Sequence, residues 1–141
     1  MTSKLIIDKG LKRCLDHQNI IADFCIFCAR DLSLNSQLRI EVVSKRGQNG
    51  ISTTAFYDPE NHMIRIYGKN RAIVDICRSI AHEMTHMSQM LEGRLDFPVQ
   101  DVGGDIENEA NARAGELIKA YAKSSPARKR IYESIRKRRL L

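Results

Sequence analysis

The apolar residues of this 141-residue chain change their spacing twice, and that switch limits the fold more than any other feature. From residue 4 to residue 32 they recur at Ile7, Leu11, Cys14/Leu15, Ile21, Cys25, Cys28 and Leu32. Steps of three and four describe one face of a helix, interrupted once at Gln18, with Asp8-Lys9-Gly10 as an alternative start. The period then drops to two. Leu38, Ile40 and Val42 alternate with polar neighbours across residues 37 to 45, residues 51 to 57 are β-branched and aromatic, and residues 62 to 67 alternate again. Gly47-Gln48-Asn49-Gly50 and Asp58-Pro59-Glu60-Asn61 read as turns between them. Three consecutive strands with short turns predict an antiparallel meander.

The helical period returns after Gly68-Lys69-Asn70. Ile73, Ile76/Cys77, Ile80, Met84, Met87 and Leu91 form one stripe of a helix over residues 71 to 92, with Asn70 as its expected N-cap and Gly93 as its stop. A loop over residues 94 to 104 leads to a further helix over residues 106 to 123, with Asp105 as the expected cap. Ser124-Ser125-Pro126 breaks that helix. The expected architecture is therefore a single α+β domain over residues 1–123, made of an N-terminal helix, a three-stranded antiparallel sheet and two further helices. A basic tail over residues 124–141 follows it.

Composition narrows the class. Hydrophobic residues make up 43% and charged residues 28%, enough apolar material to offset ordering entropy and exclude disorder over most of the chain. No apolar run approaches the roughly 18 residues of a membrane span, and Leu5-Ile6-Ile7 is too short for a secretory core. The expectation is a cytoplasmic protein, or one of the host cytoplasm if phage-encoded, with no membrane partner. The net charge of +6 sits in the tail: residues 123 to 141 carry eight Lys/Arg against Glu133 alone. A nucleic-acid or acidic partner would have to be engaged by that tail. The four cysteines, Cys14, Cys25, Cys28 and Cys77, fall on apolar stripes and are expected to be reduced core residues, although Cys25 and Cys28 have C-x-x-C spacing.

Chemistry concentrates at His82-Glu83-Met84-Thr85-His86. Residues i and i+4 share a helix face with Cβ atoms roughly 5–6 Å apart, so both imidazoles can reach one tetrahedral metal. Glu83, about 100° further round, is placed to bind a water beside that metal rather than to ligate it. Two His, one carboxylate and one open position is the ligand set of a hydrolytic zinc site. No His follows His86, so the carboxylate must come from elsewhere. The stretch Asp105-Ile106-Glu107-Asn108-Glu109 would lie beside the motif if the next helix packs antiparallel. Glu107 and Glu109 lie roughly 200° apart, so both cannot face the metal. Glu109 is preferred because it precedes the small Ala110, while Glu107 would serve as a charge at the helix N-terminus.

These residues resemble a known group. His82-Glu83-x-x-His86 with a downstream Glu is similar to gluzincin metallopeptidases, and Glu107-Asn108-Glu109-Ala110-Asn111-Ala112-x-Ala114-x-x-Leu117-Ile118 is similar to the E-x-E-A-N-x-x-A-x-x-L pattern of ImmA/IrrE-type metallopeptidases, including small phage-encoded ones. The resemblance spans about residues 35 to 121. It implies a minimal zincin fold and hydrolysis of a peptide bond in a protein substrate. It also implies Zn²⁺ held by His82, His86 and Glu109, with Glu83 as general base. A peptide would be held by strand addition at an edge strand over residues 62 to 67. Thr85 stands where the family usually has a small residue, and Arg113 where related gluzincins often have an Asp that supports a ligand. Arg113, Tyr121 and His62 are candidate oxyanion donors. The competing expectations are a non-catalytic zinc-stabilised module and a nucleic-acid accessory protein acting through the tail.

Overall fold

The computed structural model describes residues 3–45, 54–94 and 104–132. Strand β1 (Ser3–Ile7) is followed by two helices, α1 (Lys12–Asp16) and α2 (Gln18–Asp31). Strands β2 (Leu38–Val43), β3 (Ala55–Asp58) and β4 (Met63–Tyr67) come next, then α3 (Ile73–Leu91) and α4 (Gly104–Ser124). A 3-10 helix (Arg128–Tyr132) ends the described chain. The protein is α+β, and no helix among the described residues is long and apolar enough to cross a membrane.

The sheet departs from the expected meander. It has four strands in the order β1-β2-β4-β3, with β1 parallel to β2, β2 parallel to β4, and only β3 antiparallel to β4. The β3–β4 hairpin follows from its turn: Asp58 accepts from the backbone N–H of Glu60 and Asn61 and from the Asn61 amide, closing a tight reversal at Pro59. The link between β2 and β3 is longer than a hairpin needs, so β2 is free to pair with β4 instead of with its neighbour in sequence. Alternation reports which face a residue occupies and not which strand it pairs with. In consequence β4 is an interior strand, and the edges are β1 and β3.

The expected N-terminal helix is divided. Residues 3–7 form the outer parallel strand, which is where the β-branched pair Ile6-Ile7 is at home. The chain turns at Asp8-Lys9-Gly10, with Leu11 N–H donating to the Asp8 carbonyl. The interruption at Gln18 is real: His17 leaves the helical region (φ −112°, ψ 18°) and separates α1 from α2.

Helix α3 carries the core. Ile73, Ile76, Cys77, Ile80, Met84 and Met87 are all fully or almost fully buried; each large aliphatic among them contributes about 1.5–3 kcal/mol by leaving water. Its N-cap is Ala72 and not Asn70, which instead takes a left-handed φ of 60° in the preceding turn. Its end matches expectation. Gly93 (φ 75°) lets its own N–H reach the Met90 carbonyl while Arg94 N–H reaches that of Gln89. All four cysteines are buried and free, as their positions on apolar stripes predict, and burial pushes the Cys25 thiol up to about 12.

Helix α2 closes the core from the other side. Phe24 and Phe27 meet the Tyr121 ring edge-on at 5.2 and 5.4 Å. The chain beyond α4 joins this cluster. Arg128 pairs with Asp23 at 2.9 Å and lies 4.9 Å from the Tyr121 ring centroid, and Ile131 is completely buried. The start of the basic segment therefore belongs to the folded core, which carries the packed unit past the expected boundary at residue 124 to at least Ile131. Residues 133–141 lie outside the described residues. Truncating Ile131 to Ala should lower the unfolding free energy by about 2–5 kcal/mol in urea denaturation. A loss under about 0.5 kcal/mol would return residues 124–132 to the status of an appendix.

Candidate metal centre

Helices α3 and α4 run in opposite directions, with Gln89 beside Ile106 and His86 beside Glu107. On α4 the buried positions are Ala110, Ala114, Leu117, Ile118 and Tyr121. Stepping back three residues from Ala110 along that stripe reaches Glu107, which therefore faces α3 at the level of the His pair.

Three groups converge there. His82 Nε2 lies 2.7 Å from Glu107 Oε1, His86 Nε2 lies 3.1 Å from Glu107 Oε2, and the two Nε2 atoms are 3.1 Å apart. Ligand atoms around a tetrahedral zinc stand about 3.3 Å apart, so this triangle closes slightly tighter than a metal would hold it. His82, His86 and Glu107 are the one such group of metal-binding type among the described residues.

Glu109, the expected ligand, is elsewhere. Its carboxylate accepts two bonds from Arg94 (2.9 and 3.0 Å) and one from Gln89 Nε2 (2.8 Å). Those donors, Arg94 first, hold its carboxyl below the usual carboxylate range. The preference for Glu109 is corrected by helix register. The small Ala110 does mark the close approach, but the residue that shares its face lies one helical step before it, not next to it.

Gln89 explains what Glu109 does and was not foreseen. Its amide NH₂ donates both to the Ile106 carbonyl (3.0 Å) and to Glu109, so its oxygen is the atom presented to His86 Nδ1 at 2.7 Å. Nδ1 must then be the protonated nitrogen, and Nε2 keeps its lone pair. That lone pair faces a carboxylate oxygen at 3.1 Å. Two acceptors at this separation require a proton or a metal ion between them. Gln89 thus supplies the ring support for which Arg113 offered no candidate. Its signal in the sequence was the spacing: Gln89 follows His86 by three residues, on the same face.

The electrostatics suit a cation. Burial, opposed by the Glu107 carboxylate, lowers the His82 pKa, which keeps the imidazole neutral and able to ligate. The Asn111 side chain also hydrogen-bonds this ring. Glu83 is buried with Oε2 3.9 Å from His82 Nε2, and burial, aided by the Glu107 charge, pushes its carboxyl up to about 8. A divalent cation on the three ligands would act in the opposite sense and favour the carboxylate.

A cavity of about 520 Å³ opens beside the cluster, bounded by His82, Glu83, Glu107 and Asn111, by Thr54 and Ala55 at the start of the β3 edge, by Arg71, and by Asp75, Arg78 and Ser79 of the first half of α3. The three candidate oxyanion donors do not line it. Arg113 pairs with Asp31 and Glu116, Tyr121 is buried against Asp23, and His62 is an exposed turn residue at φ 47°. No family model, characterised protein or solved structure matches this chain. The chemistry of the cluster therefore carries the functional reading.

Metal analysis of purified variants separates the two acids. Glu107→Ala should lose stoichiometric zinc, whereas Glu109→Ala should keep it with affinity weakened about 10–100-fold through the Gln89 contact. Full zinc in Glu107→Ala would contradict the assignment.

Proposed function

We propose that this chain is a zinc-dependent peptidase that hydrolyses a peptide bond of a protein substrate, with His82, His86 and Glu107 as metal ligands and Glu83 as general base. The observation that carries it is the meeting of those three side chains around one point with an open cavity on the remaining side. A structural zinc site is closed by four protein ligands. Three ligands and an accessible position fit a hydrolytic site, which weighs against a merely stapling metal. The order of elements and the E-x-E-A-N sequence support kinship with the ImmA/IrrE-type gluzincins. In this reading the first Glu of that pattern ligates and the second orients Gln89.

A zinc ion held there supplies Lewis acidity, acidifying water and polarising a carbonyl. The chain supplies the rest. Glu83 takes a proton from the attacking water at its carboxylate and passes it to the nitrogen of the departing amine. Gln89 holds the His86 ring in the tautomer whose Nε2 points inward, and Asn111 steadies His82. The β3 edge, which replaces the expected edge over residues 62 to 67, runs beside the cavity where an extended peptide would add as a further strand. Thr54, Ser79 and Asn111 are uncharged polar side chains on the cavity wall that can donate to a developing oxyanion, beside the cationic Arg71 and Arg78. The basic tail over residues 124–141 would hold a nucleic-acid or acidic partner, and a cytoplasmic site of action belongs to the same reading.

Glu83→Gln should reduce cleavage of a mixed peptide library by the zinc-loaded chain at least about 100-fold while leaving zinc content unchanged. The reading fails if the zinc-loaded wild type cleaves no library peptide, or if Glu83→Gln loses its zinc and so proves to be a ligand variant.

A further inference from the structure

Away from the metal centre, the parallel part of the sheet creates a second cavity. Strands β1, β2 and β4 share one direction, so their carboxyl ends lie along one edge. The loops leaving that edge are tied together. Asp8 accepts from the Ser44 N–H (2.8 Å) and hydroxyl (3.1 Å), and Gly68 N–H donates to the Val43 carbonyl (2.9 Å). Between the loop after β1 and the loop after β4 lies a cleft of about 400 Å³. Crevices at the carboxyl ends of parallel strands are recurrent ligand sites, because the loops there are positioned by rigid strands.

The floor of the cleft is buried and close-packed. Leu11, Cys14 and Gly68 form it, and a side chain at Gly68 would come within 2.6 Å of Val42 Cγ1 and 3.3 Å of Leu11 Cδ1. The walls are cationic: Lys12 and Arg13 on one side, Lys69 and Arg71 on the other, with no carboxylate in the lining. Asp8, the acid in these two loops, is turned away onto Ser44. Arg71 is held by the Tyr67 carbonyl (2.9 Å), the Asp75 carbonyl (3.0 Å) and the Ser79 hydroxyl (2.7 Å), and it stands on the wall between this cleft and the cavity beside the metal centre, lining both. Arg13 and Arg71 both act on the buried Cys14 thiol, opposing the upward push of burial.

Four like charges gathered round one cavity repel one another, and an anion in the cleft relieves that repulsion. The volume suits a molecule the size of a mononucleotide. We infer that this cleft binds the phosphate groups of a small phosphorylated molecule, at a site separate from the metal centre. The inference stands without the peptidase reading, since none of the metal-binding side chains lines the cleft and Arg71 is the one residue lining both cavities.

The test uses the full-length chain and two probes, pyrophosphate and ADP, with binding read by calorimetry and by chemical-shift changes. Both probes should bind, with shifts centred on Leu11, Gly68 and Lys69 and with affinity falling as salt rises. ADP binding more tightly than pyrophosphate would identify a nucleotide, and equal binding would identify the phosphate groups alone. The exposed pair Lys12→Glu/Lys69→Glu should weaken binding at least about tenfold without lowering the melting temperature, a difference of about 1.4 kcal/mol. A tail variant with Arg136, Lys137, Arg138 and Arg139 changed to Ala should bind like wild type. The inference is overturned if neither probe binds, or if the tail variant loses binding while Lys12→Glu/Lys69→Glu keeps it.

Discussion

The packing of α4 against α3 is the constraint on which the rest depends. Neither helix can make the site alone. One turn of α3 offers two imidazoles, and the carboxylate arrives only because Ala110 and Ala114 let α4 approach closely enough for Glu107 to reach both Nε2 atoms. The apolar stripe that fixes this approach is the same one that builds the core. Site geometry and fold stability are thus set by one interface, and repacking Leu117 or Met84 would be felt at the ligands.

Between the two helices the polar contacts form an ordered chain from the surface inward. Arg94 holds Glu109, Glu109 holds Gln89, Gln89 fixes His86, and His86 faces Glu107. Each member decides which hydrogen-bonding role the next can take, and the chain ends on an imidazole nitrogen and a carboxylate with a proton or a metal ion between them. A charged group buried without such compensation is costly. The arrangement is therefore one that could hold a metal ion. The raised carboxyl of Glu83 beside it comes first from burial and second from the neighbouring Glu107 charge.

Much of this was legible in the sequence, and the failures have definite causes. The α3 helix, its Gly93 stop and the His82/His86 pair follow from periodicity, since spacing along a helix fixes direction. The Asp58–Asn61 turn was equally plain because side chain and backbone cooperate locally. Strand pairing was not: β2 and β4 show the same alternation whether they pair with β3 or with each other, so the parallel sheet and the outer strand β1 had no local signature. The choice between Glu107 and Glu109 could have been made from sequence, because Glu107, Ala110, Ala114, Leu117 and Tyr121 continue one stripe. Weight given to the neighbour of Ala110 obscured that register. The tail misled for a different reason: its charge masked Ile131, whose burial is decided by a cluster around Tyr121 that no local pattern reveals.

The central claim is that one metal ion is gripped by His82, His86 and Glu107. Anomalous diffraction at the zinc edge from crystals of the zinc-loaded chain addresses it directly. The account predicts a single strong peak about 2.0–2.2 Å from His82 Nε2, His86 Nε2 and a Glu107 carboxylate oxygen. A peak ligated by Glu109, a peak among the cysteines, or no peak between the two helices would contradict it.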